Sequence, residues 1–371
     1  LGALTYQDET MEKTPLEVWH PVNPADHPYL TQLCESLHGE GVQIEGTRQQ
    51  GRIFLKTIGG QAPPIVHFHW MNTFFLPEGP MGASLYPWVR SLGFVAALKA
   101  LKRVGTKIVW TAHNLVNHER RAVSADRRCH RAIARRADAI IAHSPSAREK
   151  LIETFEVAPQ RVSVIPHGHF IDWYPSSVQP TEAREALGIP SDRFVFGFFG
   201  QIRRYKQVPE LIRTYLRQSS RDHTHLLVAG NPRTDALASE LRTLADGAPD
   251  VDLHLSFVPR DEVQYYLKAA DVMVFPYDSI LTSGSIILSM SMARPVIAPR
   301  FGGIEDVVGT GHGWLYDVGS TRGLADAMQR ALSAAERLEA MGRDARDRAR
   351  RWDWETIGAQ TRALYDRLLE G

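Results

Sequence analysis

Cysteine is almost missing. The 371 residues contain two, Cys34 and Cys129, in unrelated contexts. That excludes a disulfide scaffold and a cysteine-built zinc site, and it fits a reducing, cytoplasmic compartment. An excess of either charge is missing too. Lys plus Arg number 43 and Asp plus Glu 42, a net of +1. A dedicated duplex-DNA binder needs a broad basic surface, which this balance does not supply. Long apolar runs are lacking. The longest uncharged stretch, residues 57–77, is broken by Gly59, Gly60, Pro63, Pro64, His67 and His69, so it does not read as a membrane span. The opening LGALTYQDETMEK carries three acids and no apolar centre, and reads as a loose tail rather than an export signal. What remains is soluble globular composition, 43% apolar and 23% charged, in a length that suits about two domains.

Apolar runs of strand length alternate with helical patterns. The strand candidates in the first half are 16–21, 65–70, 107–114, 139–144 and 162–168. They show little polar alternation, as expected of parallel strands covered on both faces. Helical stretches fall at 29–39 and 85–104. Residues 169–193 hold three prolines and no strand pattern, which predicts a linker. A second series follows at 194–200, 224–230, 251–258, 271–277, 295–300 and 313–317, with helices near 209–218, 235–245, 260–270 and 285–293. The organisation expected is α/β, with two Rossmann-like, doubly wound parallel-sheet domains facing across a cleft. Residues 1–170 form the first domain, 171–193 the linker, 194–350 the second domain, and 351–371 a last helix.

In such sheets ligands bind outside the carboxyl ends of the strands. The segment GQIRRYK leaves an apolar strand directly. Gly200 permits a sharp exit, and Arg203 and Lys206 supply two cations suited to a diphosphate. The plain alternative is a solvated basic turn. Thr282, Ser283, Gly284 and Ser285 sit where an apolar helix should begin. Free amides, the dipole and three hydroxyls around a glycine favour an anion there, against an ordinary N-cap. Glu305 follows the Gly302-Gly303 turn and can accept sugar hydroxyls. Histidines end several strands of the first half: His20, His67, His69, His113, His118, His143 and His167. A lone histidine is more often structural, but repetition at strand ends is not so easily dismissed.

These motifs, FGQIRRYK…PELI (199–212), VAGNP (228–232), ADVMVFPY (270–277) and RPVIAPRFGGIEDVV (294–308), with VHFHW, TAHN, HSPSAREKL and VIPHG earlier, resemble GT-B glycosyltransferases of the family-4-like branch. The resemblance implies a hexosyltransferase-type enzyme. It would move a sugar from a nucleotide-sugar, its co-substrate, to a hydroxyl acceptor that is a glycan, a small molecule or lipid-linked. It implies a nucleotide-sugar-binding second domain, an acceptor-binding first domain, and a final helix crossing back to the first. It also implies no metal and no other cofactor, with Arg203, Lys206 and 282–285 stabilising the leaving diphosphate. His113, with His69 second, is the candidate catalytic residue. Gly200, Phe257, Val258, Asp278 and Glu305 are candidate nucleobase and sugar contacts. The chain departs from the family's Glu-x7-Glu pattern, because Ile280 and Leu288 stand at the acidic positions, which leaves inversion open. The rivals are a nucleotide-sugar epimerase of the same fold and a non-catalytic sugar-binding module. No nucleic-acid partner is expected. The arginines of Arg120–Arg136 are read either as a solvated face or as a peripheral contact with the inner face of a membrane.

Overall fold

The computed structural model describes residues 15–23, 27–46, 60–75, 86–116, 122–320 and 322–371. Twelve strands among them form two six-stranded parallel sheets. The first holds β1 (Leu16–His20), β2 (Val42–Gly46), β3 (Ile65–Phe68), β4 (Lys107–Thr111), β5 (Ala139–Ala142) and β6 (Val162–Val164), in the order β2-β1-β3-β4-β5-β6. The second holds β7 (Phe194–Phe199), β8 (Thr224–Ala229), β9 (Val251–His254), β10 (Val272–Val274), β11 (Val296–Pro299) and β12 (Gly313–Tyr316), in the order β12-β11-β10-β7-β8-β9. Strand order reverses between β1 and β3 and again between β7 and β10. Those two reversals are where an open α/β sheet leaves a crevice for a ligand.

Alternation along the central strands of the first sheet feeds two cores. Trp19, Val66, Ile108 and Trp110 face one side; Val18, Ile65 and Val109 face the other. The second sheet is wrapped by a single core. The last helix, Trp354–Glu370, packs on the first domain. Its Ile357, Leu364 and Tyr365 join Tyr29, Leu30, Leu33 and Leu37 of the helix Pro28–Gly39. The two helices approach closely at Gly358, where a Cβ would stand 2.0 Å from Ser36 Oγ.

Three features differ from the sequence expectations. β2 has only one fully buried residue, Val42, so its VQIEG pattern gave no apolar run. The strand expected over 251–258 stops at His254. The stretch read as linker contains a helix, Pro180–Leu187, closed by a capping box between Gln179 and Glu182. Ala183 and Ile189 are buried in the second core, and this helix packs against Val263–Ala269.

Candidate active site

β7 leaves the second sheet through Gly200, whose φ of +132° favours glycine. A Cβ there would lie 2.6 Å from Ser285 Oγ and 3.5 Å from Lys206 Nζ. The strand exit, the lysine and the start of the helix Gly284–Ser291 therefore meet at one point. Gly230, at the exit of β8, has φ +147°, and a Cβ on it would overlap the Gly200 carbonyl at 1.8 Å. The two strand exits touch backbone to backbone.

Lys206 ends the short turn Arg204–Lys206 and is only 7% exposed. Among the described residues no carboxylate pairs with it. Its ammonium lies 5.5 Å from the centre of the Tyr277 ring. Burial, with Arg203 as the second cause, lowers its pKa from 10.5 to about 7. A buried cation without a counter-ion is costly, and an anionic ligand relieves that cost. Ser283 caps the neighbouring helix by accepting from Ile286 N–H at 3.3 Å, and its hydroxyl also reaches Tyr277 OH. The cap is therefore Ser283 alone. The amides of Gly284 and Ser285 stay without intrahelical acceptors, at the positive end of the dipole. Thr282 precedes the cap and is half-buried.

The other second-domain candidates surround this point unevenly. Arg203 donates to Gln201 Oε1 at 2.7 Å. Asp278 accepts from Gln207 at 2.9 Å and from Ser279 at 2.8 Å, so it braces the loop beside the cradle. Glu305 is exposed and ion-paired to Arg300. Phe257 is 78% exposed, and Val258 packs partly on the second core beyond the end of β9.

The first domain brings its strand-end histidines together. His143 Nδ1–H donates to the Ile165 carbonyl at 3.0 Å. A carbonyl only accepts, so His143 Nε2 offers a lone pair. It takes the Nδ1–H of His113 at 3.4 Å, and His113 Nε2 in turn takes the Nδ1–H of His69 at 3.3 Å. One backbone carbonyl thus sets the tautomers of three rings. Trp70 stacks on His113 at 4.4 Å between ring centres. His113 is half-buried, whereas His69 is fully buried. Burial foremost, then His143 and His167, holds the His113 pKa well below 6.5. Burial likewise lowers His143 to about 4. These rings are neutral at pH 7, because burial disfavours their protonated forms.

His167 joins the two halves. Its Nδ1–H donates to the Gly168 carbonyl, and its Nε2 lies 3.7 Å from where a Cβ on Gly284 would stand. The two domains also meet where Ser146 N–H donates to Asp306 at 2.9 Å. The histidine ends of the first sheet therefore face the helix start of the second. The sequence marked His20, His143 and His167 as strand ends but gave them no role. Their grouping depends on strand order, which one sequence does not display.

Two parallel-sheet domains, with a buried cation and a helix start on one side of the cleft and neutral imidazoles on the other, define a nucleotide-sugar transferase of the GT-B class. The comparisons agree. Residues 193–334 match the family Glycosyl transferases group 1, and residues 88–172 match Glycosyltransferase Family 4. The chain is 28% identical over 339 residues to GDP-mannose:glycolipid 4-beta-D-mannosyltransferase of Xanthomonas campestris pv. campestris, covering 91% of this chain and 87% of that protein. It is 31% identical over 252 residues to alpha-maltose-1-phosphate synthase of Mycolicibacterium smegmatis, 62% of this chain and 64% of that one. The fold is shared with sucrose-phosphate synthase from Thermosynechococcus elongatus, at TM-score 0.74, 19% identity, and coverage of 96% of this chain and 100% of that one. It is shared too with HepE from Anabaena in complex with UDP and glucose, at TM-score 0.71, 15% identity, and coverage of 95% and 99%. The chain belongs to the family-4-like GT-B glycosyltransferases. It transfers a sugar from a nucleotide-sugar to a hydroxyl acceptor, and the epimerase and binding-module readings are not favoured.

Proposed function

We propose that the donor is a GDP-hexose, with GDP-mannose the first choice, and that the acceptor is lipid-linked. The observation that carries the donor site is Lys206, a buried cation without a carboxylate partner among the described residues, beside Gly200 and Ser285. Its ammonium, Arg203 and the amides of Gly284 and Ser285 take the diphosphate, with Thr282 and Ser285 adding hydroxyls and Ser283 holding the helix start. Breaking the anomeric C–O bond builds negative charge on the diphosphate, and these fixed donors stabilise it in place of a divalent cation. The exit of β9 at Phe257 and Val258 offers backbone groups to the nucleobase. Asp278 and Glu305 are the sugar-hydroxyl candidates; Glu305 would have to exchange Arg300 for a hydroxyl.

His113 is the proposed catalytic residue, because it is the strand-end imidazole of the three-ring chain that reaches the cleft surface. The acceptor O–H displaces the His69 N–H from His113 Nε2 and gives its proton to that nitrogen as its oxygen bonds the anomeric carbon and the diphosphate departs. His69 acts through it as a positioning residue. We assign inversion. The Xanthomonas relative's name pairs GDP-mannose with a β-linkage, GDP-mannose carries its sugar in the α-configuration, and Ile280 and Leu288 replace the acids of the retaining pattern.

The acceptor face is the helix Tyr86–Arg103 with the helix Val123–Arg136 packed on it. Tyr86, Trp88, Val89 and Leu92 are exposed apolar residues. Arg128 lies 4.4 Å over the Trp88 ring, and Arg127, Arg131 and Arg135 are exposed nearby. Arg120 and Arg121 lie outside the described residues. Such a mixed face suits an anionic membrane surface, and no helix among the described residues is long and apolar enough to cross a membrane. Thermal shift with GDP-, UDP-, ADP- and dTDP-sugars tests the donor. A GDP-sugar at ~100 times its dissociation constant should stabilise by ~2.7 kcal/mol; stabilisation by another nucleotide-sugar and not by GDP-sugars would overturn the donor assignment. Sedimentation with phosphatidylglycerol vesicles tests the face. Low-salt binding lost in Trp88→Ala supports it, and absence of wild-type binding refutes it.

A further inference from the structure

We propose that His20, His67 and His69 hold a transition-metal cation, of the zinc type, in a closed site beneath the cleft. One nitrogen from each ring lies within 4.8 Å of the others, and all three residues are buried. Zinc–imidazole bonds of ~2.0–2.1 Å need the three nitrogens drawn closer, by rotation of the rings.

Two orphaned atoms point to an occupant. His20 Nε2 and His69 Nε2 are buried with no hydrogen-bond partner. Buried imidazole nitrogens in native proteins nearly always have one. For His69 the tautomer is already determined. Its Nδ1–H is committed to His113, which leaves Nε2 as a bare lone pair. A lone pair enclosed beside two other imidazoles calls for a Lewis acid or a proton donor, and no donor among the described residues reaches it. His20 turns Nδ1 toward Cys34 Sγ at 4.0 Å, and its Nε2 stays unpaired.

The surroundings have the form of a second layer around a metal. A ligating histidine typically donates its other N–H to a neighbouring polar group, which fixes its tautomer. His69 has His113 in that place. His67 is held by Tyr365 OH at 2.6 Å and Thr111 Oγ1 at 2.7 Å. On ligation His67 Nε2 gives up Thr111, whose hydroxyl turns away about χ1, and Nδ1 keeps Tyr365. The donor set is all imidazole nitrogen. It selects zinc, copper, nickel or iron over magnesium and calcium, which need oxygen ligands. With neutral ligands the ion keeps its charge, and an enclosed water or hydroxide would complete its fourth position.

The consequence is positional. The ion would pin the ends of β1 and β3 under the final helix and hold His69 in the tautomer that orients His113. No step of sugar transfer runs through it. The inference is independent of the donor assignment, because metal content is read without substrate.

The experiment uses untagged full-length protein, stripped with a chelator and dialysed against Zn²⁺ or Co²⁺, with Mg²⁺ as the negative control. Metal content and the Co²⁺ visible spectrum are read on wild type, His20→Gln, His69→Gln and the exposed-site control His38→Gln, with circular dichroism on each. The expected result is about one cation per chain in wild type and His38→Gln, a Co²⁺ band of nitrogen coordination, and at least ~10-fold weaker binding in the other two variants. A trapped water bridging His20 and His69 predicts no uptake, and wild type that takes up neither Zn²⁺ nor Co²⁺ overturns the proposal. So does uptake that His20→Gln and His69→Gln leave unchanged. Should both variants fail to fold, the wild-type Co²⁺ spectrum decides alone: nitrogen-ligand bands support the site, and the spectrum of the hydrated ion refutes it.

Discussion

Replacing Lys206 by methionine separates the cost of burying an ammonium from its service to a diphosphate. In the free enzyme its pKa falls from 10.5 to about 7. A displacement of that size corresponds to roughly 5 kcal/mol between charged and neutral forms. Between pH 7 and 10.5 the unfolded chain binds more protons at this lysine than the folded one. Its share of stability is therefore missing below pH 7 and returns as pH rises toward 10.5. Methionine keeps most of the stem and removes the charge, so Lys206→Met should stabilise the free enzyme at pH 6 by about 2–4 kcal/mol. The same change removes a charge-assisted contact worth ~1.5–3 kcal/mol, and GDP-mannose affinity should fall ~10- to 100-fold. A nucleotide-sugar's diphosphate keeps constant charge over the assay range, so the wild-type pH dependence reports the protein. Affinity should be level below pH 7 and weaken about tenfold per unit above it; Lys206→Met should lose that slope. Thermal melts at pH 6 and 9, with calorimetric titrations in buffers of different ionisation enthalpy, make the comparison. A variant that is less stable at pH 6 and binds donor with unchanged affinity would refute the reasoning.

Gly284→Val places a branched side chain where the phosphate would approach. Its Cβ meets nothing closer than 3.7 Å, so the melting temperature should change little while donor affinity drops ~10-fold or more, as titration will show. Gly230→Ala should act the other way: the overlap with the Gly200 carbonyl costs about 3 kcal/mol or more, read by denaturant unfolding. His113→Ala should lower turnover ~10²–10⁴-fold while nucleotide affinity stays within a few-fold. Normal turnover in the folded variant would remove His113 from the chemistry.

The sheets were legible because most of their strands are buried on both faces and read as short apolar runs. β2 escaped because Gln43 and Glu45 interrupt it and only Val42 is fully buried. The helix Pro180–Leu187 carried a readable start, Gln179-Pro180 with Glu182 three residues after the cap, but the surrounding prolines suggested a linker. On the donor side, Gly200, Lys206 and 282–285 could be picked out since each lies in the segment that leaves a strand. Their convergence could not, because it depends on β7 lying next to β10. The histidine network was least legible. Its partners come from four strand ends and the final helix, and the link from His113 to Ile165 crosses 52 positions of sequence through His143. Nor could sequence tell that Ser283 spends its hydroxyl as a cap or that Glu305 is held by Arg300.

The central claim is that the donor diphosphate lies between Lys206 and the start of the helix Gly284–Ser291. A crystal structure of the enzyme with GDP-mannose tests it most directly. The account predicts phosphate oxygens within about 3 Å of Lys206 Nζ and of the Gly284 and Ser285 amides, with the hexose turned toward His113. A diphosphate bound elsewhere, with Lys206 still unpartnered, would contradict it.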